Sequence, residues 1–565
     1  MTTLLIDNLP LLAGAPNGIK KLRELILELA VRGKLVPQDP SDEPAGELLK
    51  RIAEEKVRLV AEGKIKKQKA LSERDAEDPA FELPEGWAWA RLADVVNVLN
   101  GRAYKKEELL DAGTPVLRVG NLFTSNHWYY STLTLEEDKY CNPGDLLFAW
   151  SASFGPFIWH GERSIYHYHI WKLDFYAKGQ LSKYYLYNYL LEQTQKIKAA
   201  GHGVSMVHMT KEKMEKLVVP VPPLAEQDRI VAKIDELMAL CDRLEAQQTD
   251  TESAHAQLVQ ALLDSLTQAS DATDFAASWQ RLAEHFHTLF TTEFSIDTLK
   301  QTLLQLAVMG KLAPQDPNDE PATKLLGRIV SDRQQLANEG RFKKQKNLTE
   351  ITEEEKLFAI PQSWEWARIS SFSELKSGLA YKSEAFSEVG KNQVIRMGNI
   401  RPGMLRLETN PAFISNDLAR DTFDFSLVAG DIVLTMTGTK GKQDYMYSVL
   451  INEKHLESNQ LFLNQRLCAI RTPYINQKFL TLILQDQRLL DPIFRSATGT
   501  ANQANIGMST LNNWALPIPP LAEQNRIVDA ADQVMNICEA IKIKINKSYN
   551  LHNLISSALI VEGLA

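Results

Sequence analysis

The chain has 565 residues and a formal net charge of −8, with a pI near 5.9. This acidic balance argues against a stand-alone DNA-binding domain, which ordinarily carries a basic face for phosphate contacts. It leaves open DNA recognition inside a complex whose other subunits supply positive charge.

The composition predicts an ordinary soluble protein, with 44% hydrophobic and 24% charged residues. The sequence has no apolar run of about 18 residues, so we expect no transmembrane helix. The N-terminus lacks a basic segment before its short apolar run, so we expect no secretion signal. The four cysteines are far apart and form no CxxC pair, which predicts neither a zinc site nor a disulfide framework and fits a reducing cytoplasm.

An internal repeat begins near the N-terminus. Leu22–Lys69 aligns with Leu299–Lys346 without a gap at an offset of 299 − 22 = 277, and 27 of the 48 positions are identical. Each copy has the pattern of a helix, a glycine stop (Gly33 or Gly310), a proline loop and a second helix. The basic ends, Lys64–Lys69 and Arg341–Lys346, are interpreted as a solvated helix face or as a DNA contact.

The repeat continues into two larger lobes that share islands of sequence. Leu117–Leu122 matches Ile395–Ile400, and both contain the pattern Arg-x-Gly-Asn. A Gly-Asp pair, at Gly144 and again at Gly430, precedes an apolar run and predicts a turn into a strand. Each lobe is therefore expected to be α+β, with its own segments between the shared islands.

Each lobe ends in a proline-stiffened segment followed by a long heptad-patterned helix. Pro220–Ile230 returns almost unchanged as Pro517–Ile527, with Pro-Pro-Leu-Ala-Glu-Gln in both copies. The apolar positions then advance in alternating steps of four and three, which is typical of helices that pair side by side. An amphipathic helix lying on its own lobe is the alternative. The predicted helix-pairing residues are Ile230, Ile234, Leu237, Cys241, Leu244, Ile527, Val534, Cys538, Ile541 and Ile545.

These elements predict an α+β fold with two target-recognition lobes separated by an antiparallel pair of long helices, in a pseudo-two-fold tandem repeat. The predicted domains are an N-terminal helical arm (1–82), lobe one (83–222), long helix one (223–268), a helical linker with the repeated arm (269–359), lobe two (360–519) and long helix two (520–565).

The sequence lacks the motifs of the catalytic classes that we considered. There is no methyl-donor glycine loop, and Asp491–Phe494 only approximates the Asp-Pro-Pro-Tyr type of amine-methylation motif. Thr437–Lys442 lacks the spacing and the final Ser/Thr of a phosphate-binding loop. His167 and His169 have no third metal ligand nearby and are interpreted as strand residues. What remains is a binding protein with two similar but non-identical lobes.

The duplicated Pro-Pro-Leu-Ala-Glu-Gln helices, the twin Gly-Asp strands and the twin Arg-x-Gly-Asn islands resemble the specificity subunit of type I restriction–modification enzymes. The resemblance covers nearly the whole chain, and the long helical arms are similar to those of the longer, type IB members. It implies a non-catalytic, cytoplasmic subunit in which each lobe recognises half of a bipartite DNA site. Two modification subunits would carry S-adenosylmethionine and methylate adenine N6, and restriction subunits would use ATP and magnesium. No cofactor is expected on this chain itself.

We expect DNA contacts from residues whose side chains can match base edges in the major groove. In lobe one they are Tyr104, Lys105, Arg118, Asn121, Ser151, Ser153, His202 and Ser205. In lobe two they are Tyr381, Lys382, Arg396, Asn399, Thr437, Thr439, Lys440 and Gln503.

Two sets of repeated residues admit two interpretations. Arg118, Arg396, Asn121 and Asn399 occur in both lobes, so they could hold phosphate or framework instead of reading sequence. Glu226, Gln227, Glu523 and Gln524 could cap the helix starts or contact a modification subunit.

Two other functions compete with that of a specificity subunit. The first is a fused restriction–methylation enzyme, and the missing methylase motifs argue against it. The second is a scaffold that binds only proteins, and the two dissimilar lobes argue against it.

Overall fold

The computed structural model describes residues 12–66, 81–151, 154–200, 209–339, 349–499 and 502–564. The chain divides into two compact units. Unit 1 contains Met1–Glu252 and Ser548–Ala565, and unit 2 contains Ser253–Lys547.

Unit 1 contains one arm, one lobe and a part of each long helix. Its helices include α1 (Gly18–Val31), α2 (Ala45–Ala61), α3 (Leu92–Val95), α4 (Val119–Phe123), α5 (Lys183–Ala200), α6 (Lys211–Lys216) and the first part of α7 (Leu224–Thr267). Its strands include β1 (Ala88–Arg91), β2 (Val96–Asn100), β3 (Thr114–Leu117), β4 (Tyr129–Ser131), β5 (Tyr140–Cys141), β6 (Leu146–Ala149), β7 (Gly155–Ile158), β8 (Ser164–Tyr166), β9 (Ile170–Phe175) and β10 (Val218–Val221).

The arm of unit 1 ends its first helix at Gly33, which has a φ of 66°. This left-handed conformation favours glycine, and an added Cβ would come 2.5 Å from Cγ of Pro84. The chain then turns through the proline loop into α2. Gly33 therefore fixes both the end of α1 and the close approach of the arm to the lobe.

The lobe of unit 1 consists of two four-stranded sheets and a closing pair of strands. One sheet has the antiparallel order β2-β9-β6-β7, and the other has the order β4-β3-β8-β5 with β3 and β8 parallel. β1 pairs antiparallel with β10, so that Ala88 lies opposite Val221. The lobe is thereby closed immediately before α7 begins.

One apolar core in unit 1 runs through the arm, the lobe and the start of α7. It contains Leu22 and Ile26 of α1, Val96 of the lobe, and Ile230 and Ile234 of α7. The predicted helix-pairing residues Leu237 and Cys241 are also buried there, with Leu244 packed against the same cluster. The heptad stripe of α7 thus shares a core with the arm helix and the lobe, which the sequence pattern did not predict.

Unit 2 repeats this organisation with its own insertions. Its helices include the last part of α7, α8 (Ala272–Glu284), α9 (Phe286–Leu289), α10 (Glu293–Val308), α11 (Ala322–Asn338), α12 (Ile369–Phe372), α13 (Asn416–Asp421), α14 (Glu453–Leu456), α15 (Gln477–Ile483), α16 (Gln487–Arg495), α17 (Met508–Asn512) and the first part of α18 (Leu521–Leu564). Its strands include β11 (Glu365–Arg368), β12 (Glu374–Ser377), β13 (Asn392–Ile395), β14 (Ile400–Arg401), β15 (Met404–Leu405), β16 (Phe413–Ile414), β17 (Ile432–Thr435), β18 (Thr437–Gly438), β19 (Ser448–Leu450), β20 (Gln460–Leu463), β21 (Leu467–Arg471), β22 (Ala504–Asn505) and β23 (Ala515–Ile518).

The sheets of unit 2 follow the same plan as those of unit 1. The antiparallel order β12-β21-β17-β19 matches β2-β9-β6-β7, and the parallel pair β13–β20 matches β3–β8. β11 pairs antiparallel with β23 immediately before α18, and Gly310 ends α10 with a φ of 69°. An added Cβ at Gly310 would lie 2.6 Å from Cγ of Pro361.

The two long helices run antiparallel. In unit 1, Leu559, near the end of α18, packs against the core that holds Ile234 and Cys241, from the start of α7. In unit 2, Val259, near the end of α7, shares a core with Cys538, from the first half of α18. The other predicted pairing residues Val534, Ile541 and Ile545 pack against that second core, and Ile527 is buried in the lobe-two core. The predicted α+β tandem repeat with paired long helices is confirmed.

Candidate nucleic-acid interface

The start of α7 is held by two buried polar side chains, Glu226 and Gln227. Glu226 accepts hydrogen bonds from Gln38 Nε2 at 3.1 Å and from Trp87 Nε1 at 3.0 Å. Gln227 Oε1 accepts a hydrogen bond from the backbone N–H of Ser182 at 2.7 Å. Burial raises the pKa of Glu226, partly offset by its hydrogen bonds to the glutamine and the tryptophan. The arm and the start of the lobe therefore meet at one carboxylate, and the neighbouring Gln227 binds a second part of the lobe.

The same network recurs in unit 2 at the start of α18. Glu523 accepts hydrogen bonds from Gln315 and, at 3.0 Å, from Trp364 Nε1. Gln524 Oε1 accepts one from the backbone N–H of Asn476 at 2.9 Å. Burial raises the pKa of Glu523 as it does that of its counterpart.

Of the two interpretations left open by the sequence, this burial favours a role inside each unit over a partner contact for the two Glu-Gln pairs. The four side chains are at most 1% exposed. Buried polar groups of this kind are costly to leave without partners, so their internal hydrogen bonds explain the repeated motif. We therefore assign Glu226, Gln227, Glu523 and Gln524 to holding each unit together.

The shared asparagines of the Arg-x-Gly-Asn islands are also engaged internally. Asn121 Oδ1 accepts from Arg118 N at 3.2 Å, and its Nδ2 donates to the His127 carbonyl at 2.8 Å. Asn399 is buried; its Oδ1 accepts from Arg396 N at 2.9 Å, and its Nδ2 donates to two carbonyl oxygens, at 2.8 and 3.0 Å. Of the two interpretations left open by the sequence, these contacts favour framework over base reading for both asparagines.

In lobe one, three of the remaining candidates surround the end of the β3–β8 pair. The Arg118 guanidinium is exposed and lies over the Tyr129 ring, 5.2 Å from its centroid. Tyr104 is half-buried, with its ring 6.4 Å from that of His167, and burial raises the pKa of its hydroxyl. Lys105 is exposed beside it. This part of the lobe thus presents two cations, whereas the Tyr104 hydroxyl is buried and has no hydrogen-bond partner among the described residues.

The described part of the chain shows none of the other lobe-one candidates at this surface. Ser151 is buried at the end of β6. Ser153, His202 and Ser205 lie outside the described residues. Their proposed contacts remain predictions.

In lobe two, a short two-stranded sheet holds part of the predicted set. Thr437 is buried and its Oγ1 donates to Asn505 Oδ1 at 3.0 Å, across β18 and β22. Thr439 Oγ1 donates to Asp444 Oδ2 at 2.8 Å, which closes the loop after β18. Lys440 is exposed on that loop, and Gln503, one residue before β22, is half-buried.

The last lobe-two candidates differ in their exposure. Tyr381 is half-buried, its hydroxyl donates to Thr422 Oγ1 at 3.3 Å, and burial raises its pKa. Lys382 is exposed. The half-buried Arg396 donates to the Asn410 carbonyl. Lys382 is therefore the cation of this group that is open to an incoming phosphate or base.

The interpretation of His167 and His169 as strand residues holds for His167, which forms a β-bridge with Arg102 directly after β8, and is wrong for His169. They flank Tyr168 in the turn between β8 and β9. Burial, together with the neighbouring charges of His169 and Arg118, lowers the pKa of His167 to about 4, so the imidazole is neutral near pH 7. No group of three metal-ligating side chains was found among the described residues.

The equivalent turn in lobe two, between β20 and β21, holds functional candidates that the sequence analysis missed. Gln465 and Arg466 are exposed there. A signal existed in the repeated glycines: an added Cβ would come 2.3 Å from the His167 carbonyl oxygen at Gly101, and 2.0 Å from the Asn464 carbonyl oxygen at Gly378. A side chain at either position would clash with the backbone of the turn, which explains why both lobes have glycine there.

The chain is similar to known proteins over almost its full length. Residues 84–251 and 361–548 match the type I restriction modification DNA specificity domain. The chain is 38% identical over 558 residues to the type I restriction enzyme EcoAI specificity subunit of Escherichia coli, covering 95% of this chain and 92% of the relative. It is 34% identical over 565 residues to the EcoEI specificity subunit of the same species, covering 96% and 93%.

A solved structure shares the fold. A chain from a study of complex assembly and conformational transition of the type I R–M system superposes with a TM-score of 0.50 at 16% identity, covering 86% of this chain and 99% of that chain. No helix in the described ranges is both long and apolar enough to cross a membrane.

Two DNA specificity domains in tandem on paired long helices define a DNA-recognition protein with two recognition lobes. The chain belongs to the family of type I restriction–modification specificity subunits.

Proposed function

We propose that each lobe reads one half of a bipartite DNA site and that the paired long helices set the spacing between the halves. The observation that carries this proposal is the repetition of one scaffold with two different surfaces. Both lobes share the strand order of the four-stranded antiparallel sheet and a parallel pair in the second sheet, and both are anchored through the same Trp–Glu–Gln network. The exposed side chains at equivalent turns differ, as expected for two readers of different sequences.

The chain itself supplies no reacting group in this proposal. Two modification subunits bind it and carry S-adenosylmethionine, and they methylate adenine N6 after the base leaves the stack. Restriction subunits, with ATP and magnesium, add translocation and cleavage. The complex acts in the cytoplasm, and its other subunits supply positive charge that this acidic chain lacks.

Methylome sequencing tests the proposal directly. The chain is expressed with a cognate modification subunit in a host that has no other DNA methylation, and N6-methyladenine is mapped by single-molecule sequencing. We expect a split motif that disappears when this chain is omitted. A continuous motif, or one that persists without this chain, would overturn the proposal in favour of a protein-binding scaffold.

A further inference from the structure

The turn between β8 and β9 in lobe one, residues 167–169, is held by its backbone. Tyr168 N donates to the Arg102 carbonyl at 3.0 Å, and Trp150 N donates to the His169 carbonyl at 3.1 Å. Gly101 N donates to the carbonyl of Ile170, at the start of β9, at 3.3 Å. We call this turn the lobe-one hairpin tip. Its course is set by main-chain bonds that do not depend on its own side chains.

The lobe-two hairpin tip, residues 464–466 between β20 and β21, is held in the same way. Gln465 N donates to the Leu379 carbonyl at 2.9 Å, and Met436 N donates to the Arg466 carbonyl at 2.9 Å. Gly378 N donates to the carbonyl of the first residue of β21 at 3.1 Å. The two tips are therefore equivalent positions on equivalent backbones, with Tyr168 matched to Gln465 and His169 to Arg466.

The side chains at these equivalent positions have different chemistry. In lobe two, the exposed Gln465 amide and Arg466 guanidinium form no hydrogen bond or ion pair with other described side chains. In lobe one, the Tyr168 ring is 40% exposed and lies 4.0 Å from the His169 ring and 6.1 Å from that of Trp150. A glutamine and an arginine without internal partners keep their donors available for a ligand.

The surroundings of the lobe-two tip suit an incoming nucleic acid. A cavity of about 380 Å³ lies beside it, and its lining includes Gln465, Arg466, Ser377, Thr437 and Asn505. No carboxylate is among the described residues that line this cavity. Amide, hydroxyl and guanidinium groups converge there without a negative charge that would repel phosphates.

We propose that the two hairpin tips are specificity-determining elements, with Gln465 and Arg466 reading base edges in lobe two and Tyr168 and His169 doing so in lobe one. Arginine pairs with the O6 and N7 acceptors of guanine, and glutamine pairs with the N6 and N7 groups of adenine. Tyrosine and histidine supply a hydroxyl, an imidazole and ring faces. The inference rests on the proposed half-site recognition and names the residues that give each half its sequence.

The test uses the full chain assembled with its modification subunits. Arg466→Ala and Gln465→Ala are each compared with wild type by methylome sequencing and by methylation rates on DNA substituted at single positions. We expect each variant to lose about 10- to 100-fold of its discrimination at one base pair of one half-site, while the other half-site stays unchanged. Lys391→Ala is the matched control, because Lys391 is an exposed cation at the opposite end of β20 from the tip.

A double variant strengthens the test. Gln465→Tyr with Arg466→His places the lobe-one side chains on the lobe-two backbone, and we expect a changed base preference within the lobe-two half-site. Melting temperatures should stay within about 2 °C of wild type, because these side chains have no described internal partners.

The possible outcomes separate the inference from the proposed function. Uniformly weaker methylation with an unchanged motif would mean that the tip contacts phosphate only, and it would overturn the inference, as would an unchanged motif at unchanged rate. A wild-type complex that yields no split motif would instead refute the proposed half-site recognition. Tyr168→Ala, which should relax only the other half-site, provides an independent measurement if a lobe-two variant fails to assemble.

Discussion

Glu226→Ala should destabilise unit 1 by about 3 kcal/mol. The substitution removes two hydrogen bonds to a buried carboxylate, at 3.0 and 3.1 Å, and leaves Trp87 Nε1 without its acceptor. Hydrogen bonds to charged groups contribute about 1.5–3 kcal/mol each. The raised pKa of Glu226 shows that burying its charge is itself unfavourable, which offsets part of the sum.

Calorimetry can measure this effect in the full-length chain. For a unit of this size, about 3 kcal/mol corresponds to a fall in melting temperature of about 6 to 12 °C. The Trp87 indole loses its hydrogen-bond acceptor, so the intrinsic fluorescence of the folded chain should also change. Glu523→Ala should act in the same way on unit 2 through Trp364.

Asp235→Ala is the control, because this carboxylate is exposed on the same helix. It should change the melting temperature by no more than about 2 °C. If the melting temperature of Glu226→Ala equals that of the control, then the carboxylate is not what holds the arm and the lobe to α7. Our explanation of the repeated motif would then fail.

Three further changes probe unit 2. The hydrogen bonds from Arg368 hold the pKa of Glu355 at about 2, below its ordinary value. This carboxylate therefore stabilises the fold above about pH 4.5, and that contribution is lost as the pH falls. Glu355→Gln should flatten the drop in melting temperature between about pH 5 and 2.5. Asn399→Ala should lower the melting temperature by several degrees through the loss of three hydrogen bonds, yet leave the methylated motif unchanged, and a changed motif would mean that Asn399 reads DNA. Gly310→Ala should cost at least about 1–2 kcal/mol in thermal unfolding because of its positive φ and the facing proline ring. Gly327→Ala, at an exposed position inside α11 with open space around it, should instead be neutral or stabilising.

Much of the fold was predictable because its signals are local. Gly33 stops a helix where a left-handed residue is needed, and a glycine before an aspartate turns the chain into β6 or β17. The prolines before Leu224 and Leu521 exclude helix up to those residues, and both long helices begin there. Such features depend on a few neighbouring residues, so one sequence contains them.

What the long helices pack against was not predictable in the same way. The heptad pattern shows that Ile230 and Ile234 lie on an apolar stripe, but it does not identify the element that covers the stripe. In the structure these residues share a core with the arm helix and the lobe. The partners of Glu226 likewise lie 139 and 188 residues earlier in the chain, at Trp87 and Gln38.

The hairpin tips escaped prediction because insertions shift the alignment of the two lobes. The arms align at an offset of 277, but Arg466 matches His169 at an offset of 466 − 169 = 297. The shared backbone bonds show the correspondence directly, and the two long helices repeat at the same offset. The side chains at the tips also differ completely between the lobes, so a search for repeated residues passes over them.

The backbone anchoring of the hairpin tips bears on how such a protein can diversify. Mutations at Gln465 and Arg466 alter exposed side chains that form no described internal bond, so they escape the usual penalty that most substitutions impose on stability. A lineage under pressure to change its target could accumulate variants at Gln465 and Arg466 without first acquiring compensating stabilisation. The two copies of the scaffold could then drift apart independently, each exploring new targets while its twin keeps the old one.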